Sequence, residues 1–387
     1  MFRLRFATVA AAALFFSVPA FADYAVGTCM LNLVSYGTIS EAVSSVPSGS
    51  VIFVCPGIYP EQVVITQPLT LEGAPGVTSD AVITVPPGGL TQSVTLEDAL
   101  GAPVQYQVLV QSAGTVNILN LAVDGTSAVA SSEGNYIAGI VYEDSSGKAD
   151  HLSVRNQQYL FDGVGLLAIT LGSESQTVTV ENSVFRGFDN VGVWSVGSPM
   201  TTNVTSNTIN GTASDQSIGV CYCAGTGAAQ SNLFSGNFNG VDIYGASSVG
   251  VTGNMIAAQP FSFWEPAASV YVQGSYATVQ SNIIDSASDY GVYLVGQVTN
   301  SIIRHNTIGN SSTAVYGCDN PFVTTPASGY TVNLNTITDA LVGIEMASAN
   351  TTTPNTYYAT ANALEDCSSA NFAARTSRRT RALPRVR

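Results

Sequence analysis

Charge is scarce in this sequence, and positive charge most of all. Asp, Glu, Lys and Arg make up only 10% of 387 residues, with 12 Lys and Arg against 26 Asp and Glu. Arg3 and Arg5 lie at the N-terminal extreme, and Arg375, Arg378, Arg379, Arg381, Arg385 and Arg387 follow Cys367, so residues 23–367 keep four basic side chains against all 26 acids. A body this acidic repels nucleic acid and other anionic polymers unless a cation bridges them, and no nucleic-acid partner is expected. Histidine is limited to His151 and His305, far apart and without a Ser nucleophile motif beside either, which leaves both as surface or turn residues. With no His nearby, Cys221-x-Cys223 lacks the rest of a metal ligand set. Beyond the first 22 residues no run of 18 apolar residues occurs, so no membrane-spanning helix is expected. The second half also lacks both a 3.6-residue apolar rhythm and a dense Leu frame, which excludes helical and leucine-rich repeats.

What the second half does contain is a repeat. Asn182, Asn207, Asn232, Asn254, Asn282, Asn306 and Asn335 recur at intervals of 25, 25, 22, 28, 24 and 29 residues, each followed by a short β-branched or aromatic run. A second frame keeps step with it: Gly139, Gly163, Gly192, Gly219, Gly240, Gly291 and Gly343, with Ser269 and Ala314 filling the gaps. Each unit holds apolar runs of three to five residues broken by Gly, Asn, Ser and Asp, and it is too short for a propeller blade. A parallel β-helix fits. There, equivalent residues of successive coils stack about 4.8 Å apart, and stacked Asn amides can bond one another while the residue tolerates a left-handed bend. The Asn column is thus a structural device.

Along the chain, residues 1–22 read as a cleavable signal peptide, with Arg3 and Arg5, an apolar run from Phe6 to Val18 and a small-x-small site at Ala20-Phe21-Ala22. The location implied is secreted or periplasmic. Residues 23–367 form one domain, with a cap at 29–50 and coils over about 51–347, since a solenoid grows linearly and needs no second domain. In the cap, Ile39, Ala42, Val43 and Val46 share one helix face, and Thr38 and Glu41 have the spacing of a capping box. Segments Thr91–Gln105 and Gly125–Asn135 are polar excursions from the array, which either build a binding surface or merely decorate the rod. The array fades after Ala347, and residues 368–387 read as a basic, disordered tail. No cap follows the last coil, so self-association through that end is expected.

From Val51-Ile52-Phe53-Val54-Cys55-Pro56-Gly57-Ile58-Tyr59-Pro60-Glu61 to Pro68-Leu69-Thr70-Leu71-Glu72-Gly73, together with the segment Thr38–Gly49 before it, the chain resembles the N-terminal cap and first coil of the pectin-lyase-like superfamily. That resemblance implies an all-β, single-stranded right-handed parallel β-helix with a short N-terminal capping helix, over roughly residues 36–347. Members include pectate lyases, polygalacturonases, pectin methylesterases and proteins with no known chemistry. Gly57-x-Tyr59-x-Glu61 is similar to a stretch of the methylesterases, but the Q-D-T and D-F-[IV]-F-G motifs are missing, and Phe161-Asp162-Gly163 does not replace them. The polygalacturonase G-H-G and R-I-K motifs are missing too.

Cys29 and Cys55 stand 26 residues apart, about one coil, a spacing suited to a disulfide stapling the cap. Cys221 and Cys223 share a strand face, Cys318 lies about four coils on, out of reach, and the pairing of these three and Cys367 stays open. Trp194 and Tyr222, on neighbouring coils, either stack on sugar rings or pack in the core. Arg155 and Glu181 each precede an Asn and are expected to form a cross-strand ion pair. Asp162, Asp189 and Asp215 fall six, seven and eight residues after Asn156, Asn182 and Asn207, with Asn239 and Asp289 continuing the series. Such a column is either a set of turn formers or, by its mutual repulsion, a calcium site. The sequence favours a secreted, non-catalytic cell-envelope or polysaccharide-binding scaffold protein. The alternative is a polysaccharide lyase or glycoside hydrolase working through paired carboxylates in a groove along the coil.

Overall fold

The computed structural model describes residues 23–367 apart from 77–79, 97–99, 130–134, 213–216, 246–247, 258–266, 275, 286–288, 319–326 and 348–349. Residues 1–22, read as a signal peptide, and 368–387, read as a basic tail, therefore lie outside the described residues. Almost every strand pairs in parallel with its equivalent one coil away, and the strands collect into a 24-stranded sheet and a 12-stranded sheet. A typical coil runs Val191–Val196, Met200–Thr205, Thr208–Asn210. The first two segments belong to the larger sheet and the third to the smaller, whose three- and four-residue strands make a narrow third side. The apolar core fills the lumen, with Val193, Val204, Ile209, Phe234, Val241 and Ile256 all fully buried.

The corner before the narrow side carries the Asn ladder. Asn207 N–H donates to Asn232 Oδ1 (2.9 Å), Asn232 N–H to Asn254 Oδ1 (2.9 Å) and Asn254 N–H to Asn282 Oδ1 (2.9 Å). The pattern continues through Asn306 and Asn335 to Asn355. Each Nδ2 also donates twice: that of Asn254 reaches Asn282 Oδ1 (3.0 Å) and, one coil back, the Ala229 carbonyl (2.9 Å). One amide thus joins three coils with no donor or acceptor wasted, which makes its near-complete burial affordable.

The register corrects the expected frame in two respects. Val184 pairs with Thr208, so the rung before Asn207 is Ser183, which donates its N–H to Asn207 Oδ1 (2.9 Å). Asn182 lies one residue earlier, and there the backbone is left-handed, as at Ser206, Ser231, Gly253, Ser281, His305 and Leu334. Sharp bending therefore falls to the residue before each rung, whereas the rung Asn serves hydrogen bonding. His151 and His305 both occupy such bends, exposed.

The small-residue column runs through Gly139, Gly165 and Gly192, because Val164 pairs with Val191 and Leu166 with Val193. Gly163, expected in this column, lies two residues earlier. A Cβ on Gly192 would stand 2.6 Å from the Gly219 carbonyl oxygen and 2.9 Å from Ile209 Cγ2; on Gly240 it would meet the Ser269 carbonyl oxygen at 2.6 Å. Neighbouring coil and opposite wall both press on this line, and large side chains on the narrow side fill the space left.

At the N-terminus the helix Ile39–Ser45 closes the lumen with Ile39, Ala42 and Val43. Thr38 Oγ1 accepts from Glu41 N–H, while Glu41 reaches back to Gly37 N–H (3.1 Å), one residue beyond the usual box partner. The Glu61 carboxylate accepts the N–H groups of Ile39 (2.9 Å) and Ser40 (2.8 Å), so the G-x-Y-x-E stretch anchors the cap. Cys29 and Cys55 are joined beside it (S–S 1.98 Å).

Excursion Thr91–Gln105 folds back over the outside of the long sheet. Ser93–Val94 pairs antiparallel with Val104 and Gln105, and Val94 and Leu96 pack on Leu109, Val141, Leu167 and Ile169. From the other excursion, Ala128 packs against Leu90 and Ile137. The coil continues past Ala347 into Thr356–Tyr358 and Asn362–Asp366, and a Cys318–Cys367 disulfide ties that end back. Tyr357 takes the inner position held by Ile337 one coil earlier, and Asn355 is a further rung 20 residues after Asn335, a shorter interval than any of the others.

Arg155 and Glu181 do not meet. Arg155 belongs to the narrow sheet, opposite Asp124, with Nε 2.8 Å from Asp124 Oδ2, whereas Glu181 is on the large sheet 2.5 Å from Lys148 Nζ. Asn156 marks the corner after the narrow side, not the ladder corner.

The register yields a contrast between an Asn on the ladder and one at the bend before it. Asn254→Ala strips partners from two coils and is expected to cost about 2–4 kcal/mol. Asn182→Gly keeps the left-handed bend, removes only an exposed bond to Asp150, and is expected to change stability by less than about 0.5 kcal/mol. Denaturant midpoints of the two variants check this; a larger loss at 182 would contradict the register.

Candidate functional site

Because strands alternate, the outer faces of the two long sides carry what the core does not use. On the first side one outward column runs Leu167, Trp194, Cys221, Asp242, Tyr271, Tyr293, Tyr316, Glu345 and Glu365, each the register partner of the next. It changes from apolar to sulfur, carboxyl, aromatic and again carboxyl within nine coils. Tyr271 and Tyr293 meet edge to face (5.2 Å between centroids), Tyr293 and Tyr316 lie 5.3 Å apart, and Tyr290 stacks on Tyr316 at 4.6 Å.

Asp242 is the singular member. It is fully buried between inward-facing Val241 and Ile243. Its Oδ2 accepts from Asn239 Nδ2 (3.2 Å) and Tyr244 Oη (3.1 Å), while Oδ1 has no hydrogen-bond partner among the described residues. Burial pushes this carboxyl up to about 7, against the two hydrogen bonds, which favour the charged form. The Gly240-Val241 frame was visible in the sequence. Reading one position further in each repeat would have exposed the column containing Asp242.

Trp194 and Tyr222 stand on opposite faces, since Trp194 pairs with Cys221 and Ser195 with Tyr222. Trp194 is half-buried outside the coil, edge-on to Tyr136 at 5.3 Å. Tyr222 is fully buried inside it, with Oη donating to the Thr202 carbonyl (3.2 Å). Tyr222 therefore meets no ligand: its alternation with Cys221 and Cys223 turns it inward.

Asp162 and Asp189 do share a bend, two residues before the paired Val164 and Val191. Asp189 Oδ1 accepts from Gly163 N–H (2.7 Å) and Oδ2 from Phe161 N–H (3.1 Å), clamping the turn of the preceding coil. Burial and the neighbouring Asp189 raise the carboxyl of Asp162 above its ordinary value. Asp215 lies outside the described residues. Asn239 aligns with Val191 and Ile218, two positions past the Asp189 rung, and Asp289 falls one past it, so neither continues the column. Among the described residues, no group of three His, Cys, Asp or Glu is placed to hold a metal ion.

The outer face of the second long side is different again. Its columns run Thr177, Thr201, Thr226; Thr179, Asn203, Ala228, Gly250, Thr278; and Glu181, Thr205, Gln230, Thr252, Gln280. All are at least partly exposed, and the hydroxyls of Thr201 and Thr226 are 3.0 Å apart. From Met200 to Gln280 these columns hold hydroxyl and amide groups, with Ala228 and Gly250 between them, and no charge.

Residues 200–364 match the family model described as "Right handed beta helix region". No curated protein sequence matches the chain. Among solved structures, the catalytic unit of a GH87 α-1,3-glucanase from Streptomyces thermodiastaticus is 15% identical, with a TM-score of 0.54 over 86% of this chain and 68% of that one. A GH136 lacto-N-biosidase from Eubacterium ramulus is 10% identical, with a TM-score of 0.55 over 89% and 67%. PfbA, a surface adhesin of Streptococcus pneumoniae, is 13% identical, with a TM-score of 0.51 over 84% and 87%. At these identities the likeness is one of fold.

Asp242 imposes a pH dependence on stability. Its folded value of about 7 exceeds that of an unfolded aspartate, about 3.9, so the folded chain holds a proton that the unfolded chain releases between these limits. Stability contributed by the neutral form is present below about pH 4 and lost as pH rises towards 7. Asn at this position never ionises. Asp242→Asn is therefore expected to gain stability relative to wild type between pH 5 and pH 8 in urea unfolding, and a constant difference would count against the buried, neutral carboxyl.

Proposed function

We propose that this right-handed parallel β-helix protein of the pectin-lyase-like fold is an exported rod that binds a neutral polysaccharide along its second long side without cleaving it. The observation that carries the reading is the uncharged plane of Thr, Asn and Gln between Met200 and Gln280. Its groups repeat about every 4.8 Å on a rigid sheet, so a chain of hydroxyl-bearing rings finds donors and acceptors already ordered. The acidity of the body disfavours an anionic glycan. Pairing of all six cysteines suits an oxidising compartment. A glucanase, a lacto-N-biosidase and an adhesin built on the same fold are in keeping with a carbohydrate-facing role and leave binding and cleavage both open.

A specific observation favours a second reading. Glu345 and Glu365 are register partners on adjacent coils beyond the stacked tyrosines, and a pair of carboxyl groups is the machinery of most glycosidases. In that reading the rod is a hydrolase. Glu365→Gln would abolish turnover of a glycan that the wild type cleaves, whereas a wild type inert towards both neutral and acidic glycans keeps the binding reading.

Calorimetric titration with a panel of neutral and acidic polysaccharides tests the first reading. Binding to a neutral glycan is expected, and Asn203→Lys in the middle of the plane is expected to weaken it at least about tenfold with unchanged circular dichroism. Selective binding of acidic glycans, or equal binding by the variant, would refute it. Self-association belongs to the same proposal. Asn362–Asp366 is paired on one side only among the described strands, with Leu364 exposed. Concentration-dependent sedimentation is expected to disappear in Leu364→Lys, since a lysine on an edge opposes strand addition.

A further inference from the structure

Cys221 and Cys223 are bonded to each other, a separation of two residues, against 26 and 49 for the other two disulfides. A cross-link restrains the unfolded chain roughly as the logarithm of the loop it closes. This one therefore contributes least to stability, and bracing the coil does not account for it. Val220 and Tyr222 point into the core, so both sulfurs stand on the outer face. Cys221 is 2% exposed and Cys223 half-buried, which gives the two sulfurs unequal access. The register partner of Cys221 on the next coil is Asp242, on the same face and about one strand spacing away. Asp242 is fully buried with Oδ1 unpartnered among the described residues. A buried polar atom left without a partner costs folding free energy, and a proton-transfer role beside a disulfide gives that cost a function.

We propose that Cys221–Cys223 is a redox-active disulfide that oxidises a dithiol, with Cys223 as the attacked sulfur and Asp242 as the acid that protonates Cys221. One thiolate of the dithiol attacks Cys223 Sγ. The bond between the two cysteine sulfurs breaks, and Cys221 leaves with the electron pair and takes the proton of the Asp242 carboxyl. The second thiolate of the dithiol then attacks its own partner sulfur in the mixed disulfide, and Cys223 leaves as a thiolate. Two electrons pass from the dithiol, now a disulfide, to the protein, now a dithiol. Burial places the Asp242 carboxyl at about 7, so it holds its proton in mildly acidic surroundings. The titratable groups around it are Tyr244 on its own strand, the cysteine pair on the strand before and Tyr271 on the strand after. Those three strands carry no Lys, Arg, His or Glu, and Asp242 is their one carboxyl group.

The test uses the oxidised full chain, graded dithiothreitol, an alkylating quench and peptide mapping of all six cysteines. Cys221 and Cys223 are expected to be trapped together at a dithiothreitol concentration at least about tenfold below that needed for Cys29, Cys55, Cys318 and Cys367. Release of all three disulfides together, or of this one last, overturns the site. Reduction rates of Asp242→Asn relative to wild type cancel the ionisation of the reagent. At pH 6 the variant is expected to react at least about tenfold more slowly, with the gap closed by pH 9, where the wild-type carboxyl is ionised. A ratio that does not change with pH overturns the relay.

Discussion

Register is the constraint from which the other features of this molecule follow. A parallel coil could slide by one residue at each turn and still satisfy its backbone, but every side chain would then change face. The stacked amides from Asn207 to Asn355 remove that freedom, because each Asn must meet the backbone N–H of one neighbour and the carbonyl of another. Ser183 starts the ladder with a hydroxyl that does part of the same work. The small-residue column through Gly139, Gly165 and Gly192 adds a steric lock on the opposite wall, since a Cβ there would collide with the next coil.

Once register is held, every second residue of each strand is assigned to solvent or to an outer layer, and the two long sides diverge. The first is covered where it is apolar, by Val94 and Leu96, and then turns to cysteine, aspartate, tyrosine and glutamate. Between Met200 and Gln280 the second stays partly exposed and uncharged. Binding along an extended surface and chemistry at a buried carboxyl can thus coexist on one rod, because strands only a corner apart face different surroundings.

Asp242 shows how far environment outweighs residue type. Asp162 and Asp189 sit at a bend, and the Asp189 oxygens are taken by backbone amides, which is ordinary turn chemistry. Asp242 lies mid-strand between Val241 and Ile243, where water cannot reach it, and its carboxyl is held near neutrality of pH by burial. The same side chain is thereby a clamp in one coil and a proton donor in another.

Fold class, the Cys29–Cys55 disulfide and the cap helix were legible in the residues alone, because period, cysteine spacing and capping spacing are local properties. So was the existence of an Asn column, although its first rung was misplaced by one residue. Counting from one Asn to the next cannot tell whether a loop has gained a residue before or after the corner, and only strand pairing identifies Ser183, and not Asn182, as the rung. The same uncertainty misassigned Gly163, joined Arg155 to Glu181 and extended the aspartate column to Asn239 and Asp289. Tertiary structure alone decided which face each strand presents, hence that Tyr222 is core while Cys221, Asp242, Glu345 and Glu365 share an outer line. The physical reason is that the side-chain period along a strand is two. A shift of one residue, invisible in a repeat of varying length, exchanges inside for outside.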